Sequence, residues 1–180
     1  MSRARSNRTP GRPGAESRSA RMPWGIVTVT WRDGLVTRVE IQGPGAKLPR
    51  GAKHDQRLAR GLRRVLAGGP VPNWLHVDAA GLPDFTRKVL GLCAGIRPGQ
   101  VMTYAELARR AGKPGAARAV GQVMARNRFP LLIPCHRVVR SDMSLGGYGG
   151  GQEMKRTLLE EEGWGMDVSD EPASRPGTRR

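Results

Sequence analysis

Cysteine and histidine are scarce in this sequence. Its 180 residues contain two cysteines, Cys93 and Cys135, and three histidines. One possible pair cannot form the disulfide framework of a small secreted scaffold, so we interpret both cysteines as free thiols. His54 and His76 have no cluster of cysteine or histidine around them, and we therefore expect no metal site.

Long apolar segments and acidic residues are also scarce. No apolar run approaches the ~18–20 residues that span a bilayer, and the N-terminus lacks the apolar segment of a signal peptide, so we expect a cytoplasmic protein without a membrane partner. Lys and Arg number 31 against 15 Asp and Glu, which gives a net charge of +16. This excess favours a polyanionic partner, nucleic acid first, and predicts association with the nucleoid.

The two chain ends have little to bury. Residues 1–22 are rich in Arg, Ser, Gly and Pro, and residues 165–180 also look polar. We expect a disordered basic arm at the first and a disordered tail at the second. Two roles for the arm stay open, namely a solvated extension and a weak tether to DNA phosphates.

Residues 23–82 have the pattern of a small α/β domain. β-branched residues alternate with polar ones on both sides of Asp33-Gly34, which predicts a β-hairpin. Apolar residues at helical spacing predict a helix over residues 55–67, and residues 74–77 predict a further short strand. Nothing in this domain suggests chemistry.

Residues 83–164 have the pattern of a mainly helical domain. Asp84 is expected to cap a helix over residues 85–94, and Thr103 with Glu106 has the spacing of a capping box. A glycine-containing turn at 112–115 then leads to a second helix over residues 116–126. Two short helices joined in this way outline a helix-turn-helix, although a plain helical hairpin fits the same pattern.

The apolar run over residues 131–139 contains a thiol, an imidazole and a guanidinium in succession, Cys135, His136 and Arg137. We expect an edge strand that bends at Pro134, because proline removes a hydrogen-bond donor from the sheet. Cys135 is then either a small core residue or a nucleophile whose proton His136 takes through a water molecule. A carboxylate should orient the imidazole, and the three candidates lie at the end of the last helix, Glu160, Glu161 and Glu162.

A glycine-rich loop over residues 142–151 separates this run from the last helix, predicted over residues 153–162. The loop lacks the Lys-Ser/Thr pair of a P-loop and does not lead from a strand into a helix, so a phosphate-binding role is disfavoured. We interpret it as a loop that leaves the Tyr148 hydroxyl free to approach a ligand.

The segment Ile133-Pro134-Cys135-His136-Arg137-Val138-Val139 resembles the active-site signature of the O6-alkylguanine-DNA alkyltransferases, also called methylated-DNA-protein-cysteine methyltransferases. The resemblance covers about residues 84–163, whereas the N-terminal domain resembles the family only in its coarse pattern. The other matching positions, in the family's order and spacing, are Pro98-Gly99, residues 101–108, residues 116–121, Asn127, Ser141, residues 145–148, Gly150-Gly151, Lys155, Leu158-Leu159 and Glu162-Gly163.

This resemblance implies a fold and a function. The implied fold is an α/β N-terminal domain with a ribonuclease-H-like small sheet and a helix, followed by a mainly α C-terminal domain with a winged helix-turn-helix. The implied function is DNA repair by direct reversal, in which the alkyl group of O6-alkylguanine in double-stranded DNA passes irreversibly to Cys135 in a single turnover. No cofactor and no zinc are implied, and we expect a monomer.

The resemblance also implies roles for individual residues. Cys135 accepts the alkyl group, His136 is the water-mediated base, Glu162 orients it, Asn127 holds the active-site turn, and Tyr148 donates to the guanine. Arg118 fills the gap left by the flipped nucleotide, and Tyr104 crowds the 3′ phosphate. The remaining implied contacts are Ala117, Gln122, Arg126 and Arg137 to DNA, and Pro134, Val138 and Ser141 around the base.

Two positions depart from the family pattern, and two other functions stay open. Arg128 follows Asn127 where proline is usual, and Met143 stands where glycine is common, so these turns are expected to differ. The alternatives are a non-enzymatic binder of alkyl damage and a basic architectural DNA-binding protein with a structural thiol. The presence of Cys135 disfavours the first, because alkyltransferase-like binders lack that cysteine.

Overall fold

The computed structural model describes residues 14–164 as a mixed α/β structure. Its first part is a three-stranded antiparallel sheet in the order β1-β2-β3, formed by Glu16–Met22, Gly25–Arg32 and Leu35–Gln42. The predicted hairpin is confirmed: Asp33 and Gly34 connect β2 to β3 with φ angles of 52° and 81°, the left-handed region that Asp-Gly turns favour.

The predicted disordered arm over residues 1–22 is wrong for its second part, because Glu16–Met22 forms strand β1. Its partner β2 would otherwise present an unpaired edge, and Ala20 and Met22 bury their side chains in the core. Ser19 also bonds across the pair, with its Oγ 2.8 Å from Thr28 Oγ1. Residues 1–13 of the arm, and the predicted tail over residues 165–180, lie outside the described residues.

Helix α1, Gln56–Leu66, packs on this sheet. Asp55 caps it, accepting a 2.8 Å hydrogen bond from the Leu58 amide. The strand predicted over residues 74–77 is wrong: the chain forms a 3-10 turn, Asn73–Leu75, and only Val77 makes a bridge, to Val36. Val36, the second residue of β3, donates to the His76 carbonyl and accepts from the Asp78 amide, both at 2.8 Å, so the segment pairs with β3 at a single residue.

The second part contains four helices of the described chain, α2 (Asp84–Ala94), α3 (Tyr104–Arg110), α4 (Ala117–Ala125) and α5 (Gln152–Glu161). Thr103 is confirmed as the cap of α3, with its hydroxyl accepting from the Glu106 amide at 3.1 Å. Two details were wrong. Glu106 bonds Arg110 instead of completing a capping box, and Asp84 is the first helical residue, where its carboxylate pairs with Arg87.

The run around Cys135 is not the edge strand that its apolar character predicts. Cys135–Arg137 is a 3-10 turn, and only Val138–Val139 is extended, forming β5 parallel to β4, Met102–Thr103. The Arg137 amide donates to the Pro134 carbonyl, which closes the turn at the proline. Cys135 and His136 are therefore no longer on opposite faces of a strand.

The two parts share one hydrophobic core, to which the sheet, α1 and the helices of the second part all contribute. A backbone hydrogen bond of 2.7 Å from the Val39 amide to the Arg128 carbonyl links β3 directly to the segment before the active turn. Among the helices of residues 14–164, none combines the length and apolar character needed to cross a membrane.

Candidate active site

A strained turn, held by Asn127, presents Cys135. Leu131 is buried with a φ of 72°, a left-handed conformation that costs a side-chain-bearing residue about 1–2 kcal/mol. The Asn127 side chain compensates with three hydrogen bonds: Oδ1 accepts from the Phe129 amide at 3.0 Å, and Nδ2 donates to the Ile133 carbonyl at 3.0 Å and to Cys135 Sγ at 3.2 Å. One amide thus holds both the backbone of the turn and its sulfur.

Cys135 is buried, with 6% of the residue exposed. Burial raises its pKa, since a thiolate loses solvation there, whereas the Asn127 N–H and the nearby Lys155 ammonium act in the opposite direction. The thiol is therefore protonated at rest and needs a base when it reacts. Cys93 is buried as the sequence predicts, its pKa raised chiefly by desolvation, which suits a core residue.

His136 and Glu162 form a buried pair behind the thiol. Nε2 of the imidazole lies 2.9 Å from Glu162 Oε1, and the two side chains are 0% and 5% exposed. Burial lowers the pKa of His136, although Glu162 opposes this, so the imidazole is neutral. With Nε2–H donating to the carboxylate, Nδ1 is the free acceptor, and it has no partner among the described residues. The pair can therefore accept one proton.

Arg137 fixes Glu162 and does not face solvent. Its Nε donates to Oε2 at 2.8 Å and its Nη2 to Oε1 at 2.7 Å, while Nη1 donates to the Ile96 carbonyl at 2.5 Å. The prediction that Arg137 contacts DNA is wrong, because its guanidinium is buried and every nitrogen is engaged. Burial alone would raise the pKa of Glu162, but the hydrogen bonds from His136 and Arg137 hold it below its usual range.

The structure selects one of the three candidate carboxylates. Glu162 is the C-terminal capping residue of α5 and turns inward, whereas Glu160 and Glu161 are exposed. The remaining predicted residues of the chemistry lie close by: the Tyr148 ring stands edge-on to His136, with centroids 6.3 Å apart. Cys135, His136, Glu162, Asn127 and Tyr148 are therefore brought together as one site.

A cleft of about 780 Å³ leads from solvent to Cys135. It lies between α3, α4 and the glycine-rich loop. Tyr148 Oη is buried without a partner in the described chain, and burial raises its pKa well above the usual range, so the hydroxyl keeps its proton. The cleft is lined by Tyr104, Ala117, Arg118, Gly121, Gln122, Arg140, Ser141, residues 146–149 and four further residues that include Cys135.

The glycine-rich loop touches α3 closely. Gly146 has a φ of 68°, and a Cβ at this position would lie 2.9 Å from the Tyr104 hydroxyl. The same hydroxyl donates to the Gly147 carbonyl at 3.5 Å. Met143, which stands where the family commonly has glycine, adopts a φ of 67°, a left-handed conformation that is uncommon for a residue with a side chain.

The predicted DNA and base contacts divide into two groups. Ala117, Arg118, Gln122, Ser141 and Tyr104 line the cleft, and Arg126 is exposed at the end of α4. The other group is buried beside the 3-10 turn and is not among the residues that line the cleft: Pro134 and Val138.

Lys155 belongs to the site, but the sequence indicated no role for it. Its side chain is fully buried on the inner face of α5, and Nζ donates to the Val138 carbonyl at 2.5 Å and to the Leu145 carbonyl. None of the ion pairs among residues 14–164 gives it a carboxylate, and burial lowers its pKa to about 8. A lysine among the apolar positions Met154, Leu158 and Leu159 was the signal that could have identified it.

Known proteins resemble this chain in sequence and in fold. A family model described as the DNA-binding domain of 6-O-methylguanine DNA methyltransferase matches residues 84–164. A methylated-DNA--protein-cysteine methyltransferase of Methanothermobacter thermautotrophicus is 37% identical over 145 residues, which cover 78% of this chain and 81% of that protein. The chain belongs to this family. The predicted family and its function class, direct-reversal repair by transfer to a cysteine, are confirmed.

Other relatives agree in sequence and in structure. The rat protein of the same name is 49% identical over 98 residues, which cover 53% of this chain but 46% of that protein. A crystal structure of Mycobacterium tuberculosis OGT in complex with DNA is 31% identical, with a TM-score of 0.66, and covers 82% of this chain and 92% of that one. The small sheet with helices is thus common to family members, which confirms the mixed α/β prediction.

Proposed function

We propose that this protein repairs double-stranded DNA by transferring the alkyl group of O6-alkylguanine to Cys135, once per molecule. The observation that carries this proposal is the buried thiol at the end of an open cleft, backed by the His136–Glu162 pair. A structural thiol needs neither the cleft nor a neutral imidazole behind it. The proposed transfer uses only groups of the protein and one water molecule, so we expect neither a cofactor nor a metal.

The reaction is an in-line displacement at the alkyl carbon. As the new S–C bond forms, the bond from that carbon to guanine O6 breaks, and its electron pair stays on the oxygen. The thiol proton passes through one water molecule to Nδ1 of His136, and Glu162 stabilises the imidazolium. Because the acceptor nitrogen is buried and unpaired, it is available for this proton.

Tyr148 assists the leaving group. Its protonated hydroxyl donates to the guanine as negative charge develops on the guanine. The proton that Cys135 released is returned to the guanine, which therefore leaves as a neutral molecule. The product on the protein is a thioether, which has no simple route back to a thiol. Each molecule therefore reacts once.

The damaged base must leave the DNA stack, because Cys135 is buried at the inner end of the cleft. The proposed DNA interface is the helix pair α3–α4, in which Arg118 is exposed at the start of α4 and lines the cleft. Arg118 fills the space of the flipped nucleotide, Tyr104 crowds the neighbouring phosphate, and Ala117, Gln122 and Arg126 contact the duplex.

Lys155 holds the two walls of the base pocket together. Its ammonium bridges the carbonyl of Val138, next to the reactive turn, and that of Leu145, at the start of the Tyr148 loop. It is also a buried cation whose pKa the Cys135 thiolate would raise, so the two groups stabilise each other's charged forms. Lys155 thus positions the pocket and favours the thiolate. Of the residues predicted around the guanine, Ser141 lines the cleft and is proposed to contact the base, whereas Pro134 and Val138 do not line it and are proposed to support the pocket from the buried side.

The finer architecture is part of the same proposal. The predicted N-terminal domain over residues 23–82 contains β2, β3 and α1. With β1 paired to β2, the three antiparallel strands and the helix packed on them support a ribonuclease-H-like domain that we propose begins at β1. The α3–α4 pair, with the β4–β5 ladder beside it, supports a winged helix-turn-helix within residues 83–164. A cytoplasmic, nucleoid-associated monomer stays our prediction.

Intact-mass spectrometry tests the proposed function. The protein is incubated with a duplex that contains one O6-methylguanine, and Cys135→Ala is treated in parallel. We expect one added methyl on Cys135 of the wild type and none on the variant, which should still bind the duplex. An unmodified wild-type protein that binds damaged duplex selectively would instead favour the non-enzymatic damage binder, and binding without selectivity the architectural protein.

A further inference from the structure

The solvent face of helix α1 is strongly basic. Its exposed side includes Arg57, Arg60, Arg63 and Arg64, and its sequence, Gln-Arg-Leu-Ala-Arg-Gly-Leu-Arg-Arg-Val-Leu, contains no acidic residue. The opposite face buries the apolar residues that pack on the sheet. The charge therefore lies on one side of a helix that the repair chemistry does not use.

These arginines are not neutralised within the described chain. Among the ion pairs of residues 14–164, none involves an arginine of α1, and the capping Asp55 pairs with Arg18. Acidic residues line cavities together with Arg63 and with Arg57, whereas Arg60 and Arg64 line neither of these cavities. Arg57 stacks on the Trp74 ring at 4.7 Å. The guanidinium groups of Arg60 and Arg64 thus remain available to an external anion.

Their spacing forms a continuous row. Arg57, Arg60 and Arg64 are separated by three and four residues, which places them on one stripe of the helix, and the stripe is roughly 10 Å long at ~1.5 Å per residue. A nucleic acid strand presents a phosphate about every 3.4 Å of duplex axis. The row can therefore meet successive phosphates of one backbone.

The basic row is not part of the cleft. Near its C-terminal end, Arg63 and Leu66 line a small cavity together with Leu158 and Glu162 of the α5 region. Glu162 holds His136, and none of the residues that line the cleft at Cys135 belongs to α1. The row is therefore not part of the site that receives the damaged base.

We propose that α1 is a second nucleic-acid surface, which binds the phosphate backbone of another DNA segment while the cleft is occupied. The two exposed large apolar residues of the described chain, Leu35 and Met143, are not on α1, so the helix has nothing to insert into a membrane. A closely spaced row of guanidinium groups instead fits a polyphosphate. The protein would then bridge two DNA segments, independently of alkyl transfer.

A bridging experiment with the full-length chain tests this. An immobilised duplex is first saturated with the protein. The capture of a second, fluorescent duplex by the bound protein is then measured over a range of NaCl concentrations. In Arg60→Gln/Arg64→Gln we expect capture to fall about tenfold, and the slope of log affinity for the second duplex against log salt to flatten by about 1.8, two phosphate contacts at ~0.9 each.

The matched control is Arg32→Gln/Arg38→Gln, which removes the same charge from exposed strand positions. It should capture the second duplex as the wild type does, and both variants should methylate themselves on a short duplex at the wild-type rate. Unchanged capture by Arg60→Gln/Arg64→Gln would refute the surface on α1. An equal loss in the two variants would refute it as well, because net charge alone would then account for bridging.

Discussion

Arg137 holds the Glu162 carboxylate with two hydrogen bonds, Nε to Oε2 at 2.8 Å and Nη2 to Oε1 at 2.7 Å. Both side chains are 5% exposed. The arginine next to the reactive cysteine thus acts inward, on the carboxylate that orients the imidazole, and the charge of Glu162 is compensated inside the protein.

Replacing Arg137 with Met should destabilise the protein strongly. The change leaves a buried carboxylate with His136 as its remaining side-chain partner, and breaking a buried pair in this way costs about 3–5 kcal/mol of unfolding free energy. Urea denaturation measures the difference. The control is Arg110→Met, since Arg110 pairs with Glu106 on the surface and exposed pairs contribute only ~0–1 kcal/mol. Equal costs for the two variants would contradict the assigned role.

His136 should make the protein less stable as the pH falls below about 6.5. Burial lowers its folded-state pKa below the unfolded value of ~6.5, so the unfolded chain binds more protons between the two values, and the free energy of unfolding rises with pH in that window. Above the window His136 is neutral in both states and adds no slope. Denaturation curves for the wild type and His136→Gln check this.

The wild type should show the additional loss of stability on acidification, and His136→Gln should lack that component. Glu162 affects stability at lower pH. Its depressed folded-state pKa contributes stability that is fully present above its unfolded-state pKa of ~4.3 and is lost as the pH falls through the folded-state pKa. If the free energy of unfolding changed with pH by the same amount in the two proteins between pH 5 and 6.5, roughly the range in which imidazole titrates, a buried neutral His136 would be contradicted.

The sequence predicts much of this arrangement, and its failures have physical causes. Helix periodicity, the Asp33-Gly34 turn and the Thr103 cap are local signals, and the structure has all three. The sequence did not predict strand β1, because this strand is stabilised by pairing with β2, and the amino-acid composition of a segment does not show which strand it pairs with. The direction of Arg137 depends on the long-range position of Glu162, 25 residues away in the chain.

Lys155 should matter more to the chemistry than to the fold. Lys155→Met removes a buried cation that has no carboxylate partner in the described chain, so the cost of desolvating that cation disappears. It also leaves the two carbonyls that Lys155 bonds without this partner. Because these effects oppose each other, we expect a small net change in the free energy of unfolding. The Cys135 thiolate loses a nearby positive charge. A rise of one unit in the thiol pKa would lower the thiolate population about tenfold near neutral pH.

The rate at which iodoacetamide alkylates Cys135, followed from pH 6 to 9 around the thiol's ordinary pKa of ~8.5, measures this effect without DNA. Lys155→Arg is the matched variant, because it keeps the charge while changing the shape. We expect it to keep more thiol reactivity than Lys155→Met but to transfer from damaged duplex slowly, since the larger head group disturbs the two carbonyls. Identical reactivity of Lys155→Met and the wild type would exclude charge stabilisation by Lys155.

Arg118 should be required for duplex DNA but not for the free base. Extruding a nucleotide costs a few kcal/mol, and an arginine that fills the vacated space repays part of this cost. If Arg118 contributes about 2–3 kcal/mol, Arg118→Ala slows transfer from an O6-methylguanine duplex on the order of a hundredfold. Transfer from free O6-benzylguanine should change little, because that substrate needs no extrusion.

The exposed Arg97, which does not line the cleft, supplies the control Arg97→Ala. A similar loss on both substrates would show that Arg118 shapes the pocket instead of replacing the flipped nucleotide.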